Sequence, residues 1–464
     1  MNSEPMQGKE APPRYVATAE KQHVPPGYQR TDVGVVPEDW GVSPIATILK
    51  NIIDYRGRTP RKLGMAWGGG DIPALSARNV RMGGIDLSQE TYYGSEALYE
   101  RWMASGDSKK GDLVVTMEAP LGNVALIPDD HKYILSQRTI LLQPEPHIVD
   151  GEFLFQLLSS DGFQRLLRDN ATGSTATGIQ RSRFEKLHVV LPHLLEQRAI
   201  AEALSDVDAL LRALETLIAK KRAIKQAAVQ QLLTGRLRLP QFERTARIDL
   251  ARVGTHPADW AIVSLKDACL KIQDGTHFSP TLGGSDYLYV TSRNIGFGTL
   301  DVSDADTISE EEHRKIYARC DVRFGDLLLT KDGANTGNAA LNTMRDECSL
   351  LSSVAFLRFD PRRDDARFFL QYILSTPAQR RLKEMMSGNA ITRLTLEKIN
   401  RFLVPRPSFE EQQAIATVLS DMDAEIVALE RRGDKTRAIK HGMMQQLLTG
   451  RVRLVDPAQA AASA

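Results

Sequence analysis

The stretch that opens on Glu196-Gln197, runs through Leu204-Ser205-Asp206-Val207-Asp208-Ala209 and Arg222-Ala223-Ile224-Lys225, and closes on Gln230-Gln231-Leu232-Leu233-Thr234-Gly235-Arg236 occurs twice. Its second copy lies 215 positions on: Glu411-Gln412, Leu419-Ser420-Asp421-Met422-Asp423-Ala424, Arg437-Ala438-Ile439-Lys440 and Gln445-Gln446-Leu447-Leu448-Thr449-Gly450-Arg451. Aligned without a gap, 27 of the 44 residues from 196 to 239 match their counterparts. A repeat of that period marks two domain-sized halves and not a solenoid of small units.

The repeated stretch reads as a helix. Ile200, Leu204, Val207, Leu211, Leu214 and Ile218 step by four and three, the seam spacing of a coiled coil. Ile415, Leu419, Met422, Ile426 and Leu429 keep the register in the second copy. No proline enters before Pro240 and Pro457, and Gly235 and Gly450 stand where a helix C-cap glycine belongs. Some 40 residues at about 1.5 Å each give a rod of roughly 60 Å. One such stripe alone would be ordinary core packing. Two, each ending a matching half, are expected to pair antiparallel and hold the halves at a fixed separation. Lys221 and Gly433 interrupt the seams midway, so the rod is expected to be less regular beyond them.

The rest of each half also repeats. Val33-Gly34-Val35-Val36-Pro37-Glu38-Asp39-Trp40 is echoed by Val253-Gly254-Thr255-His256-Pro257-Ala258-Asp259-Trp260, and Tyr28–Thr31 by Phe242–Thr245. The tryptophans are expected to plug a core, with a strand or short helix following over Val42–Leu49 and Ala261–Leu265. Gly111-Asp112 and Gly325-Asp326 turns feed the apolar runs Leu113–Thr116 and Leu327–Thr330, and Ile134–Leu142 and Leu350–Phe359 are further strand candidates. Helices are expected over Gly151–Arg168 and Ala366–Met385. Strands ending in proline, Val189–Pro192 and Phe402–Pro405, lead into the long helices.

Composition bounds the function. At 464 residues, 42% hydrophobic and 25% charged, the chain is globular and large enough for several domains. Its net charge of +1 argues against a nonspecific coat on nucleic acid. Cys269, Cys320 and Cys348 lie far apart, which speaks against a zinc or disulfide framework and fits a reducing cytoplasm. The polar, proline-bearing residues 1–26 and the lack of any long apolar run lead to the expectation of no signal peptide and no membrane span. Residues 1–26 and the tail 453–464 read as flexible ends.

Catalytic motifs are missing. There is no phosphate-binding Gly-x-x-x-x-Gly-Lys-Ser/Thr, no Gly-x-Gly-x-x-Gly after a strand and no Asn-Pro-Pro-Tyr. The carboxylates of Pro128-Asp129-Asp130-His131-Lys132 are adjacent, whereas those of a nuclease site come from separate strands. The nine histidines form no ligand-spaced cluster.

Polar and basic loops point to nucleic acid instead, since phosphate contact and base readout use such side chains. In the first half the candidates are Arg56, Arg58, Arg61, Lys62, Arg78, Asn79, Arg81, Thr177, Gln180, Arg181 and Arg183. In the second they are Thr276, His277, Arg293, Asn294, Lys331, Asn335, Thr336 and Arg393. If the halves read different sequences, residues common to both cannot carry the difference. Arg78-Asn79 and Arg293-Asn294 are then fold or phosphate positions. Discrimination falls to the loops that differ: Asp54–Lys62 against Gln273–Pro280, Met117–Leu121 against Lys331–Thr336, and Ser174–Arg183 against Asn389–Arg393.

The doubled order of Pro-x-Asp-Trp, glycine-turn strands, Glu-Gln, long helix and Gln-Gln-Leu-Leu-Thr-Gly-Arg resembles the specificity subunit of type I restriction–modification enzymes. The likeness covers residues 28–454. It implies an α/β (α+β) chain with a pseudo-twofold internal repeat: two tandem globular DNA target-recognition domains separated by two long antiparallel helices that form a coiled coil. The implied layout is a recognition domain over 27–192, a spacer helix over 193–239, a second recognition domain over 240–405 and a second spacer helix over 406–452. Each recognition domain would read one part of a bipartite, asymmetric site in double-stranded DNA. The helices would set the spacing and dock two methyltransferase subunits, joined by restriction/translocase subunits. No catalytic residue, metal or cofactor is expected on this chain; S-adenosylmethionine, ATP and magnesium belong to the partners. A coiled-coil scaffold that reads no sequence is the competing expectation.

Overall fold

The computed structural model describes residues 24–173, 177–242, 246–250, 253–386 and 393–462. The first recognition domain is built on Leu113–Met117, a strand with every residue buried. It pairs antiparallel with Leu121–Leu126 on one side and Thr139–Pro144 on the other, and Leu49–Asp54 completes a four-stranded sheet. Period-two alternation explains the continuous apolar run, because both faces are covered. Leu113, Val115, Met117, Ile140 and Leu142 face one core, while Val114 and Leu141 face another. The second core is closed by a small sheet in which Ile134–Leu135 runs parallel to Ile72–Leu75, with Tyr93–Gly94 antiparallel.

The second recognition domain repeats this frame. Cys269–Asp274, Val354–Phe359, Leu327–Thr330 and Ala339–Leu341 form its four-stranded sheet in that order. Leu327, Leu329, Ala355 and Leu357 face one core, and Leu328, Val354 and Phe356 the other. Its small sheet again contains a parallel pair, Leu282–Val290 with Cys348–Leu350.

Four expected elements are divided. The helix expected over Gly151–Arg168 is two helices, Gly151–Ser159 and Asp161–Asp169, because Ser160 leaves helical geometry and its hydroxyl caps Phe163 N–H. Ser375 makes the same break between Ala366–Leu374 and Thr376–Met386. The strand expected over Ile134–Leu142 is interrupted at Arg138, whose φ is +69°. Leu350–Phe359 is likewise split between two sheets.

The long helices span Leu194–Leu232 and Phe409–Leu447, 39 residues each. The chain packs as two compact units divided between Ala213 and Leu214 and between Arg432 and Gly433, inside both helices. The first unit therefore contains the first recognition domain, the start of the first long helix and the end of the second. The other unit holds the remainder. Within each, the helices run antiparallel. In the first unit Lys440 reaches Asp208 at 2.7 Å and Arg453 reaches Glu196 at 2.6 Å. In the other, Lys225 pairs with Asp423, Lys221 meets Glu425 at 2.6 Å and Arg238 meets Glu411 at 2.6 Å.

Ile200, Leu204, Leu214, Ile415, Leu419 and Ile426 are buried along the seam, while Val207, Leu211, Ile218, Met422 and Leu429 are half-buried. The seam does not end at its apparent interruptions. Lys221 is neutralised by Glu425, and Gly433 and Thr436 are buried. Hydrophobicity alone hides such positions, because a seam can be closed by ion pairs and small residues.

Each helix start is fixed by a buried carboxylate. Glu196 accepts from Trp40 Nε1 at 3.1 Å and from Arg453, which also pairs with Asp39 at 2.7 Å. Glu411 accepts from Trp260 Nε1 at 3.0 Å and from Arg238, which pairs with Asp259 at 2.9 Å. Both tryptophans plug a core as expected. Arg453, by contrast, is part of the first unit and no flexible tail, and Pro457–Ala462 is a short helix. The expected N-terminal extension lies outside the described residues up to residue 23.

Candidate nucleic-acid interface

At one end of each recognition domain, loops far apart in sequence are stitched together by backbone hydrogen bonds. In the first domain Met117 N–H donates to Arg138 at 2.8 Å, and Ile179 N–H donates to Met117 at 3.1 Å. Glu118 bridges Gly178 in the same place, and Arg138 Nε lies 3.2 Å from its carboxylate. In the second domain Ser352 N–H donates to Thr276, Lys331 N–H to Ser353 and Leu394 N–H to Lys331, each at 2.8 Å. Loops cross-braced in this way hold side chains in register against a ligand face.

The candidate residues divide by burial. Asn79 and Asn294 have no exposed surface. Asn79 Oδ1 accepts from Ser76 N–H and hydroxyl, and Asn294 Oδ1 from Thr291 N–H at 2.9 Å. They brace turns and cannot touch DNA. Lys331 is 2% exposed, with its ammonium 3.2 Å from Asp274, and Thr276 is buried with its hydroxyl capping Phe278 N–H. These four leave the list of contact candidates. Residue type suggested them, but a buried amide or ammonium is spent on its internal partner.

Others stay at the surface. Around the first loop cluster are Arg56, Arg181, Arg183, Thr177 and Gln180. Burial pushes the Asp54 carboxyl up, but the Arg56 guanidinium at 2.6 Å outweighs it and holds the group below the ordinary carboxylate range. Arg181 pairs with Glu185 at 2.5 Å. Around the second cluster are His277, 3.1 Å from Asp274, Arg393, 3.5 Å from Asp332, and Asn335 and Thr336 in the Gly333 turn.

The basic turn goes elsewhere. Arg58 donates to the Trp102 carbonyl and lies over the Tyr55 ring at 4.5 Å, while Arg61 and Lys62 are exposed on the short turn Pro60–Leu63. Arg78 pairs with Glu90 and Arg293 with Asp306, and Arg81 is exposed. Sequence reading missed Arg138, which lies in the first loop cluster beside Glu118 of the expected loop Met117–Leu121. Arg138 had a signal, a lone cation directly before an apolar strand. The loops expected to discriminate, Ser174–Arg183 and Asn389–Arg393, fall partly outside the described residues.

Among the described residues no group of three or more His, Cys, Asp or Glu could hold a metal ion, and no helix is long and apolar enough to cross a membrane.

Comparison with known proteins agrees with this architecture. The family model for the type I restriction modification DNA specificity domain matches residues 37–226 and again 257–439. The MjaVIII specificity subunit of Methanocaldococcus jannaschii is 24% identical over 427 residues, covering 90% of this chain and 94% of that protein. The EcoBI specificity subunit of Escherichia coli is 24% identical over 389 residues, covering 81% and 78%. The crystal structure of the type I restriction–modification S subunit from M. genitalium superposes with a TM-score of 0.54 at 16% identity, covering 88% of this chain and 96% of that one. A chain from a structural study of type I complex assembly superposes at 0.51 and 17% identity, covering 90% and 99%. With the family model matched twice across most of its length, the chain belongs to the type I restriction modification DNA specificity family.

Proposed function

We propose that this chain is the DNA-sequence-recognition subunit of a type I restriction–modification complex, each recognition domain reading one part of a bipartite, asymmetric site. The observation that carries the reading is the doubled frame: the same sheets and long helix occur twice, while the loops gathered at the end of each domain differ in sequence. Identical readers would recognise a symmetric site; unlike loops on like frames suit an asymmetric one. The long helices set the number of base pairs between the half-sites and dock two methyltransferase subunits, to which restriction/translocase subunits add. The chain itself is non-catalytic. Adenine methylation and ATP-dependent cleavage, with S-adenosylmethionine, ATP and magnesium, are carried by those partners, and the complex works in the cytoplasm on chromosomal DNA.

The test is selection from a random duplex library by the chain purified with its methyltransferase subunits. Enrichment of one split motif is expected. A complex that forms but enriches no motif would mean a scaffold that reads no sequence.

A further inference from the structure

The two recognition domains part at one place beside the loop cluster. In the first, the strand Leu49–Asp54 is followed by Tyr55, whose ring is buried. Its hydroxyl donates to Gly106 O at 2.8 Å and accepts from Ser105 N–H at 3.1 Å, just past the helix Glu96–Trp102. Arg58 covers the ring and donates to Trp102 O. An aromatic ring and a guanidinium thus close the gap between strand end and helix end.

In the second domain the equivalent strand, Cys269–Asp274, is followed by Gly275. A Cβ there would run into the Leu350 backbone, so no ring can enter from this position. Counted from the capping serines Ser95 and Ser309, the positions of Trp102, Ser105 and Gly106 become Ile316, Arg319 and Cys320. The gap stays open as a cleft of about 350 Å³. Its floor is the buried Ile316 and Cys320. On its rim stand Phe278, 47% exposed, and the cations Lys315 and Arg319. Lys315 is shared with Glu311 at 2.8 Å, whereas Arg319 makes no ion pair among the described residues. His277, anchored by Asp274, which also holds Lys331, links the rim to the loop cluster.

We propose that this cleft receives one nucleotide unit of the DNA strand at the edge of the second half-site. Its phosphate sits on Arg319, and its sugar or base edge rests on Phe278 and Ile316. The first domain supplies ring and guanidinium from its own chain. The second keeps the guanidinium and an exposed ring but leaves the space to an amphipathic group from outside. An apolar floor beneath a cationic rim matches a nucleotide, which is anionic on one side and apolar on the other. The proposal rests on the recognition reading and makes this one contact particular to the second domain, since Tyr55 and Arg58 fill the equivalent gap in the first.

The complex with methyltransferase subunits is titrated with labelled duplex, both the selected motif and random sequence, over a range of salt. Arg319→Ala is expected to weaken both by roughly five-fold and to lower the slope of log K against log salt by about one, the signature of one lost phosphate contact. Arg319→Lys restores most of the slope. Phe278→Ala weakens binding with the slope unchanged. An unaltered slope in Arg319→Ala overturns the cleft assignment while motif selection by the unaltered complex still stands. Failure of that complex to enrich a motif overturns the recognition reading, and the slope on random duplex judges the cleft separately. Binding of AMP that depends on Arg319 while duplex binding does not would assign the cleft to a free nucleotide and overturn the DNA proposal.

Discussion

Glu196 and Glu411 are buried carboxylates, each answered by a tryptophan N–H and an arginine that arrives from the far end of the partner helix. Breaking such a pair costs more than the pair contributes, because the remaining charge keeps its desolvation penalty. Arg453→Met should therefore destabilise the first unit by about 3 kcal/mol in urea unfolding, and adding Glu196→Gln should recover part of the loss. In the second domain burial pushes the Asp321 carboxyl up, but Lys271 and Arg358 outweigh it and hold the group at about 2. A folded value below the unfolded one means stability that is full above pH 4 and lost as pH falls toward 2. The urea midpoint should fall across that window, and Lys271→Met should flatten the fall. At this scale the sequence was least legible. Asn79, Asn294, Lys331 and Thr276 have the side chains of DNA-contacting residues, yet each is buried against a partner that residue type does not name. Arg138 was missed for the opposite reason: a single cation in an apolar run looks like background until Glu118 is placed beside it.

Among the elements, the long helices were legible to within a few residues because their seam is periodic and their ends are marked by glycine. Gly235 and Gly450 have φ of +59° and +67°. A Cβ at Gly450 would lie within 3.0 Å of the Pro37 ring, and one at Gly235 equally close to Pro257. Gly450→Ala thus meets both a backbone penalty of about 1 kcal/mol and a clash. A loss of about 2 kcal/mol or more in urea unfolding is expected; a neutral result would mean that the contact with Pro37 does not form in solution. The divided helices were missed because Ser160 and Ser375 are tolerable inside a helix. The cap at Ser160 and the break at Ser375 follow from the chain turning back at those points, a tertiary demand that local periodicity does not record.

For the whole molecule, the repeat carried most of the inference, since one half checks the other. The tandem frames and the class of function were legible in the repeat itself. The division of the chain through the middle of both long helices could not, because a repeat shows what is duplicated and not which copies pack together. Net charge bears on binding at this scale. At +1 the chain has little excess cation to displace counterions from DNA. The chain alone should bind duplex weakly with a shallow dependence on salt. The proposed complex with methyltransferase subunits should bind with a markedly steeper one, measured by anisotropy between about 50 and 200 mM salt.

The packing of residues 433–454 against the first recognition domain also sets an order of events on the ribosome. The unit from 214 to 432 is complete in the nascent chain while the earlier-made domain still lacks the strand of helix that covers it. Tyr28 waits more than four hundred residues for its partner carbonyl at Gly450. What is translated first is finished second, and in the interval Ile200 and Leu204 are left without Leu447 and Leu448, an apolar strip that a chaperone or an early-arriving partner would find partly open.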